Sequence, residues 1–366
     1  MNVRFLDLSI QNQRHKKELL AAIEKVFDHG IMINGPEVEA FEKSIAESCK
    51  RKYAIGVNSG TDALFLALKS LGIGRGDEVI TTSLSWIATA NAIALTGASP
   101  VFADINNDLN ISPESVESLI SEHTKAILPV HYTGKICAIK DLKDLAQKNN
   151  IYLIEDAAQA YGAQKNNIVA GSFGDISCFS MNSMKIFASC GEAGVILTDD
   201  EKLCDHIRAL RYNGTVNKET CIEPSLNARL DTIQAAILLE RIKNVPFIIE
   251  KRRKIAELYN KYLDGIVELP KENDDEYSVY YTYTIQASER NGLQVFLTSK
   301  GIETKIQHPI LMPEQPAYRN EKKANIDNAK RIVNSILSLP ANEKISFDQV
   351  KYVSDCIKQF YNGKNL

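Results

Sequence analysis

The chain has 366 residues, 44% of them hydrophobic, and a formal net charge of −3 without a dominant basic block. It is therefore long enough for two domains, and its charge argues against nucleic-acid binding. No apolar run could cross a bilayer and residues 1–20 lack the core of a signal peptide, so we expect a cytoplasmic protein without a membrane partner.

Short apolar runs alternate with stretches of helical periodicity from Tyr53 to Asp199. This alternation predicts strand–helix–strand units and a largely parallel sheet that is buried on both faces. A Ser-Pro pair at Ser112 and Pro113 marks the start of one of the helices. The predicted strands are YAIGVNS, DEVITTS, SPVFADI, TKAILPVH, IYLIEDAA, DISCFSM and AGVILTD.

The sequence changes character after Pro246. A charged helix, IIEKRRKIAELYNKYL, leads to YSVYYTYTIQA, whose Tyr and Thr content favours an antiparallel strand. Two further helices are predicted near residues 325–336 and 347–361. We therefore predict a large domain over residues 1–245 and a smaller α+β domain over residues 246–366.

The seven cysteines are scattered and lack the CxxC spacing of a zinc site. A chain without a secretion signal keeps such cysteines reduced. We expect mostly buried thiols, no disulfide framework and no metal.

In open parallel sheets, ligands bind in the loops at the carboxyl ends of the strands. One such loop, NSGTDALFLAL, provides Gly60 for close backbone approach, the Thr61 hydroxyl and a helix N-terminus, which together suit a phosphate. An ordinary helix capped by Ser59 or Thr61 explains the motif equally well. The loop is neither GxGxxG nor GxxxxGK[ST], which disfavours NAD and ATP.

The only tryptophan, Trp86, opens the helix predicted after TTSLS. Its side chain could lie flat on a planar ring, although a core tryptophan is the commoner case. The strand IYLIEDAAQA ends in two acids, and a carboxylate there is costly unless it pairs with a cation such as a protonated pyridine nitrogen. Asp156 could provide that carboxylate or cap a following helix, and Gln159 could contact a neighbouring ring oxygen.

A lysine, Lys185, lies among apolar residues in FSMNSMKIFASCGEAG. A desolvated lysine has a lowered pKa and a reactive free amine, as Schiff-base chemistry requires. A solvated surface lysine is the simpler interpretation of any single lysine. Lys185 follows the strand after Asp156, however, so both residues belong to the edge that carries Gly60 and Trp86, and the combination favours a reactive amine.

Together these motifs resemble the DegT-type nucleotide-sugar aminotransferases, fold type I enzymes that use pyridoxal 5′-phosphate (PLP). The resemblance covers nearly the whole chain and implies an α/β fold, with a mostly parallel seven-stranded sheet in the large domain and a smaller C-terminal α+β domain. It extends in order through GIMINGPEVEAFE, NSGTDAL, EDAAQAYGA, GSFGDISCFSMNSMK, NARLDTIQAAIL and GIETKIQHP.

The resemblance implies two catalytic residues, Lys185, which would bond the cofactor and move protons, and Asp156, which would pair with the pyridine nitrogen. Trp86 would stack on the ring and Gln159 would contact its phenolic oxygen. The cofactor phosphate would be held by Gly60, Thr61, Ser180 and, from the partner subunit of a homodimer with shared active sites, Asn227.

The resemblance also implies glutamate as amino donor and a nucleotide-linked keto-deoxysugar as acceptor, with amination at C4, in the synthesis of surface-glycan or nonulosonic-acid precursors. A dehydrating branch of the family has histidine where this chain has Lys185, so amino transfer is favoured. The chain departs from the family pattern at Thr133, usually tyrosine, and in the segment expected near the sugar. The candidate substrate residues are His131, Arg229, Lys305 and His308.

Other functions remain open from the sequence alone. A regulatory or binding protein could retain the PLP fold without turnover, and a different PLP reaction, such as that of a desulfurase, is possible because Cys190 lies close to Lys185. An NAD-dependent sugar enzyme is disfavoured by the absent glycine motif.

Overall fold

The computed structural model of the protein describes residues 1–217 and 219–363. Residue 218 of the predicted large domain and residues 364–366 of the predicted small domain lie outside the described residues. The helices are α1 (Gln13–His29), α2 (Pro36–Ser48), α3 (Gly60–Ser70), α4 (Ala88–Leu95), α5 (Pro113–Leu119), α6 (Ile139–Asn149), α7 (Glu201–Leu210), α8 (Thr232–Arg241), α9 (Val245–Leu263), α10 (Arg290–Ser299), α11 (Asp327–Val333) and α12 (Phe347–Asn362).

Five-residue strands form the main sheet, and shorter strands form small ribbons around it. The strands are β1 (Tyr53–Val57), β2 (Glu78–Thr82), β3 (Ser99–Ala103), β4 (Thr124–Leu128), β5 (Tyr152–Asp156), β6 (Gln164–Lys165), β7 (Ile168–Val169), β8 (Ile176–Ser180), β9 (Gly194–Thr198), β10 (Thr215–Val216), β11 (Thr220–Cys221), β12 (Glu276–Tyr277), β13 (Tyr283–Gln286) and β14 (Ile336–Leu339).

The main sheet has seven strands in the order β1-β9-β8-β5-β4-β2-β3 over the described residues. Strand β9 runs antiparallel to β1 and β8, and the remaining neighbours pair in parallel. These strands coincide with the seven apolar runs of the sequence. The predicted α/β fold with a mostly parallel seven-stranded sheet is therefore confirmed.

The sheet is apolar because it is covered on both faces. Successive residues of a strand point to opposite faces; in β9, Val195 and Leu197 belong to one core cluster and Ile196 belongs to the other. Helices α2, α6 and α8 cover the first face, and α3, α4 and α7 cover the second. Near-continuous apolar strands are the expected result.

A separate core lies in the C-terminal part of the chain. Helix α9 has Pro246 in its first turn, and behind it β13 and β14 pair antiparallel beside α10 and α12. Val3 also belongs to this core, because it pairs with Gly301 and Glu303. The domain boundary after residue 245 stays a prediction.

All seven cysteines are free, and five of them are buried, in line with the prediction of reduced, mostly buried thiols. Cys190 and Cys221 are the exposed ones. None of the helices of residues 1–217 and 219–363 combines the length and the apolar character needed to cross a membrane.

Candidate active site

A cleft of about 480 Å³ opens at the carboxyl edge of the parallel strands. Its wall is completed by a C-terminal segment around residues 305–309. The structure brings together most of the side chains that the sequence singled out. The predicted site residues that line the cleft are Gly60, Thr61, Trp86, Asp156, Gln159, Ser180, Lys185, Lys305 and His308.

Helix α3 points its N-terminus into this region. Ser59 is its cap, since its hydroxyl accepts a 3.0 Å hydrogen bond from the Asp62 N–H. The N–H groups of Gly60 and Thr61 have no acceptor within the helix, and they lie at the positive end of its dipole. A Cβ on Gly60 would lie 2.5 Å from Cβ of Ser180, so only glycine permits this close approach. The arrangement suits a phosphate group.

Asp156 ends β5 in a buried position at the base of the cleft. Its Oδ2 accepts a 2.9 Å hydrogen bond from the Thr89 hydroxyl, and its Oδ1 accepts one of 3.2 Å from the Ala158 N–H. Both donors are neutral, and burial raises the pKa of Asp156 above its usual value. No described helix begins between Asp156 and α7, so Asp156 is not a helix cap. A cationic ring N–H is the partner that this carboxylate lacks.

The preceding acid, Glu155, is already satisfied within the protein. Its carboxylate accepts hydrogen bonds of 2.7–3.0 Å from backbone N–H groups of Gly171–Gly174 and from the Ser177 hydroxyl, and it lies 2.9 Å from Nε2 of His131. Burial alone would raise the pKa of Glu155, but these hydrogen bonds and the nearby His131 lower it to about 2. Glu155 is a structural anchor behind the cleft.

The structure does not bring His131 into the cleft. Its side chain is fully buried against Glu155, so the expectation that it contacts substrate is corrected by its position. Burial opposes protonation, but interactions with Cys137 and Glu155 outweigh burial and raise the pKa of His131 to about 10. The imidazole therefore supports the acid next to Asp156.

Trp86 is 62% exposed, which excludes the core tryptophan considered from the sequence. It lies two residues before α4, with its ring centroid 5.9 Å from that of His308. Nδ1 of His308 is 3.0 Å from the Tyr132 hydroxyl. Burial, together with the charges of Lys185 and Lys305, lowers the pKa of His308 to about 4. The cleft therefore presents a neutral imidazole beside the tryptophan.

Gln159 is oriented by the backbone of Thr133. Its Oε1 accepts a 2.8 Å hydrogen bond from the Thr133 N–H, which leaves the amide N–H₂ as its remaining donor group. Thr133 has a φ of 62°, an uncommon conformation for a β-branched residue. The contact that position 133 makes with Gln159 is a backbone contact, which does not require a tyrosine side chain.

Lys185 is half-buried, with Nζ 4.7 Å above the ring centroid of Tyr281. The loop around it is closed at its base by hydrogen bonds from the Met181 N–H to the Ala193 carbonyl (2.7 Å) and from the Ser189 N–H to the Met181 carbonyl (2.8 Å). The amine thus belongs to a fixed loop at the cleft rather than to the open surface.

Asn227 and Arg229 lie outside the cleft of their own chain. Nε of Arg229 donates a 2.8 Å hydrogen bond to Oδ1 of Asn227, and the guanidinium lies 4.5 Å above the Tyr212 ring. Asn227 is exposed. Their roles at a partner subunit or toward substrate therefore stay predictions.

Sequence reasoning missed several residues around the cleft. Thr89 could have been found, because it lies one helical turn after Ser85 at the edge that carries Trp86. Tyr281 and Gln307 come from the C-terminal part of the chain, where no rule about strand ends applies.

PLP fits these residues: α3 and Ser180 suit its phosphate, Asp156 lacks the cation that its ring nitrogen provides, and Lys185 supplies the amine. When bound, PLP serves as an electron sink for the bonds that change at the reacting carbon. Fold and site define a PLP-dependent aminotransferase of fold type I. More particularly, the chain belongs to the DegT/DnrJ/EryC1/StrS aminotransferase family, whose model matches residues 13–358.

Similar proteins cover nearly the same length. The chain is 37% identical to the "Pleiotropic regulatory protein" of Geobacillus stearothermophilus over 99% of each chain. It is 35% identical to the dTDP-3-amino-3,6-dideoxy-alpha-D-galactopyranose transaminase of Aneurinibacillus thermoaerophilus over 98% of this chain and 99% of that one. The structure of NtdA from Bacillus subtilis with bound cofactor PMP has a TM-score of 0.93 at 30% identity, over 99% of this chain and 85% of that one.

Proposed function

We propose that this protein transfers an amino group from glutamate to a ketone of a nucleotide-linked deoxysugar, in the cytoplasm, for the synthesis of surface-glycan precursors. One observation carries the proposal: the half-buried amine of Lys185 shares a cleft with the buried carboxyl of Asp156 and the exposed ring of Trp86. The similarity to a dTDP-sugar transaminase supports the class of acceptor.

Each cleft residue has a task in this reaction. Lys185 would hold the cofactor through its amine and would move a proton at the carbon that gains or loses nitrogen. Asp156 would keep the ring nitrogen protonated, and the Thr89 hydroxyl holds that carboxylate in place. Gln159 would donate its amide N–H to the phenolic oxygen, and Trp86 would cover one face of the ring.

The acceptor side of the cleft combines a neutral and a charged residue. His308 is uncharged near neutral pH, because its pKa is lowered to about 4 by burial and by the charges of Lys185 and Lys305. When the Tyr132 hydroxyl donates to Nδ1, the proton of the imidazole is on Nε2. His308 is then a hydrogen-bond donor for a sugar oxygen.

The position of amination on the sugar has two candidates. We propose C4, which follows from the family resemblance. C3 is the second candidate, because the dTDP-sugar transaminase at 35% identity is named for a 3-amino sugar. The two products differ in which ring carbon bears nitrogen, and nuclear magnetic resonance of the product separates them.

We also propose a homodimer with shared active sites, in which Asn227 contacts the cofactor phosphate of the partner subunit and Arg229 holds Asn227 in place. Ile31–Ile33 and Leu226 have exposed apolar side chains, and Met32 is joined to the segment after Asn227, because the Thr232 N–H donates to the Met32 carbonyl. The three consecutive exposed apolar residues Ile31–Ile33 favour burial against a second protein.

A regulatory protein without turnover is the other function to consider, since a relative at 37% identity is named as a regulatory protein. The two functions differ in one outcome. A regulator that only retains the fold transfers no nitrogen even when it is fully loaded with PLP.

The decisive experiment incubates the PLP-loaded protein with nitrogen-15-labelled glutamate and a panel of nucleotide 3-ketosugars and 4-ketosugars. We expect the label in one aminosugar product, detected by mass, with Lys185→Ala as the inactive control. Absence of labelled product across the panel, with PLP bound, would refute the aminotransfer to nucleotide sugars and favour the regulatory alternative.

A further inference from the structure

A second pocket, of about 310 Å³, lies between the loops that follow β3 and β4 and the segments on either side of β12. Among residues 1–217 and 219–363, no residue lines both this pocket and the active-site cleft. Its volume is at the lower end of the range of about 300–1,000 Å³ that is typical of small-molecule sites. An open groove continues from it along residues 268–273, so a ligand can enter without passing through the active site.

The walls of the second pocket carry hydroxyl and amide groups without an excess of positive charge. The charged lining residues are two acids and two bases, Asp108, Glu268, Lys135 and Lys271. Nζ of Lys135 is already engaged, because it lies 2.9 Å from a carboxylate oxygen of Glu276 and donates to the Lys271 carbonyl. A phosphate or carboxylate would therefore find no surplus cation to pair with. The uncharged polar residues of the lining include Asn107, Thr133, Asn273, Ser278, Thr282 and Gln286.

Two hydroxyl groups of this lining have no protein partner. Ser278 is only 5% exposed; its N–H donates to Glu272 and its carbonyl accepts from Arg253, but its hydroxyl forms no hydrogen bond within residues 1–217 and 219–363. The Thr133 hydroxyl forms none with those residues either. A hydroxyl in a pocket wall is satisfied when a ligand or water bonds to it. Because each hydroxyl both donates and accepts, the pair suits the hydroxyl groups of a sugar.

The backbone of the second pocket is unusual at three positions. Leu109, Thr133 and Tyr280 line the pocket and have φ angles of 72°, 62° and 48°. Bulky and β-branched residues rarely adopt this left-handed conformation. Residues held in such conformations cluster at active sites and ligand-binding sites. Their concentration around one pocket is an indication of a ligand that is independent of the free hydroxyls.

The second pocket and the active-site cleft share a wall through Thr133. Its N–H donates a 2.8 Å hydrogen bond to Oε1 of Gln159, which lines the cleft, and its carbonyl accepts a 3.4 Å hydrogen bond from the Thr282 N–H. Tyr281 lies between two lining residues of the second pocket, but it lines the cleft, with its ring centroid 4.7 Å from the Lys185 amine. A ligand that fixes Thr133 therefore also fixes side chains of the active site.

We propose that the second pocket binds an uncharged, hydroxyl-bearing ligand of monosaccharide size, and that its occupancy strengthens the binding of PLP. The Thr133 and Ser278 hydroxyls bond to the ligand, and Leu269 and Pro270 contact its C–H groups. The hydrogen bond from Thr133 to Gln159 transmits the effect, and PLP strengthens ligand binding by the same factor. The proposal goes beyond the proposed function and does not depend on amino transfer.

Calorimetry with the PLP-loaded protein tests the pocket. The probes are glucose, galactose, N-acetylglucosamine and fucose, with glucose 6-phosphate and glucuronate as charged counterparts, and we expect an uncharged sugar to bind most tightly. Ser278→Ala and Thr133→Val each remove one hydroxyl and should raise its dissociation constant roughly two- to tenfold, as for one neutral hydrogen bond. Ser288→Ala, at an exposed serine outside the pocket, is the matched control and should leave the constant unchanged. His308→Gln, in the cleft, should also leave it unchanged.

A second measurement tests the coupling between the two cavities. The cofactor-free protein is titrated with PLP in the presence and absence of a saturating concentration of the tightest-binding sugar. We expect the sugar to lower the dissociation constant of PLP at least about threefold. A sugar of the panel that does not bind should leave this constant unchanged.

Three outcomes overturn the proposal. Failure of the unsubstituted protein to bind any uncharged sugar would exclude this class of ligand. Binding that is lost in His308→Gln but kept in Ser278→Ala and Thr133→Val would place the sugar in the active-site cleft. A dissociation constant of PLP that the bound sugar does not change would remove the coupling. None of these outcomes alters the labelled-glutamate result, so failure of this proposal is distinct from failure of the proposed function.

Discussion

The hydroxyl of Thr89 donates a 2.9 Å hydrogen bond to Oδ2 of Asp156. Ser85 lies behind it, with its hydroxyl 3.4 Å from that of Thr89. The pair orients the carboxylate but brings no positive charge to it. The protein therefore holds the Asp156 carboxylate in a fixed position where it can pair with a cationic ligand.

Thr89→Val should weaken PLP binding. The substitution keeps the shape of the side chain and removes the donor, and a hydrogen bond to a charged group contributes about 1.5–3 kcal/mol, or roughly ten- to hundredfold in affinity. Titration of the cofactor-free protein with PLP, followed by absorbance, measures the change. Thr89→Ser retains the hydroxyl and serves as the control; if Thr89→Val binds PLP as tightly as Thr89→Ser does, the hydrogen bond has no such role.

Asp156→Asn should stabilise the cofactor-free protein at neutral pH. Burial raises the folded-state pKa of Asp156 above its usual 3.8, so the folded state binds more protons and stability falls as pH rises between the two values. Asparagine avoids this cost, which should vanish below about pH 4, where the carboxyl is protonated in both states. Urea unfolding across this pH range provides the measurement.

With PLP bound, the unsubstituted protein should be more stable than the Asp156→Asn variant. This is the reverse of the order expected without cofactor. PLP stabilises the unsubstituted protein by binding to the folded state, and the asparagine variant gains less because its side chain carries no charge for the ring nitrogen. A cofactor-free Asp156→Asn variant that unfolds more easily at pH 7 would contradict this account.

His308→Gln should reduce the loss of stability at mildly acidic pH. The folded-state pKa of His308 is about 4, below its usual 6.5, so the unfolded chain takes up the proton first and stability is lost as pH falls through this interval. Denaturant unfolding between pH 4 and 7 measures how steeply the free energy of unfolding changes with pH. His123→Gln, at an exposed histidine, should keep the slope of the unsubstituted protein, and an equal slope for both variants would exclude His308 as its source.

Mixing Lys185→Ala with Asn227→Ala should restore activity that neither variant has alone. If Asn227 serves the partner's site, each mixed dimer contains one intact site, and random exchange gives about a quarter of full activity. The assay is the labelled transfer, before and after the subunits are allowed to exchange. Persistent inactivity, with mixed dimers verified by mass, would place Asn227 outside a shared site.

The main sheet was predictable because each of its strands is a short apolar run buried on two faces. The residues at the strand ends were predictable for a related reason. Gly60, Trp86, Asp156 and Lys185 follow different strands, and parallel strands deliver their carboxyl ends to one edge.

The missed features depend on contacts between residues far apart in the chain. His131 follows a strand as Asp156 does, but its side chain turns inward to Glu155, and sequence spacing does not determine such a rotation. Tyr281 and Gln307 reach the cleft through tertiary packing of the C-terminal part. The backbone of Thr133 orients Gln159 through a positive φ, which no residue preference predicts for threonine.

The closed loop around Lys185 has a consequence for the rate of the reaction. The hydrogen bonds between Met181, Ser189 and Ala193 restrict the loop during folding, so little conformational entropy remains to be lost when substrate arrives. Insertion of flexible residues between Met184 and the base of the loop would slow turnover even though every reacting group is retained. The loop would thus act as a rigid support that keeps the Lys185 amine in position for the reaction.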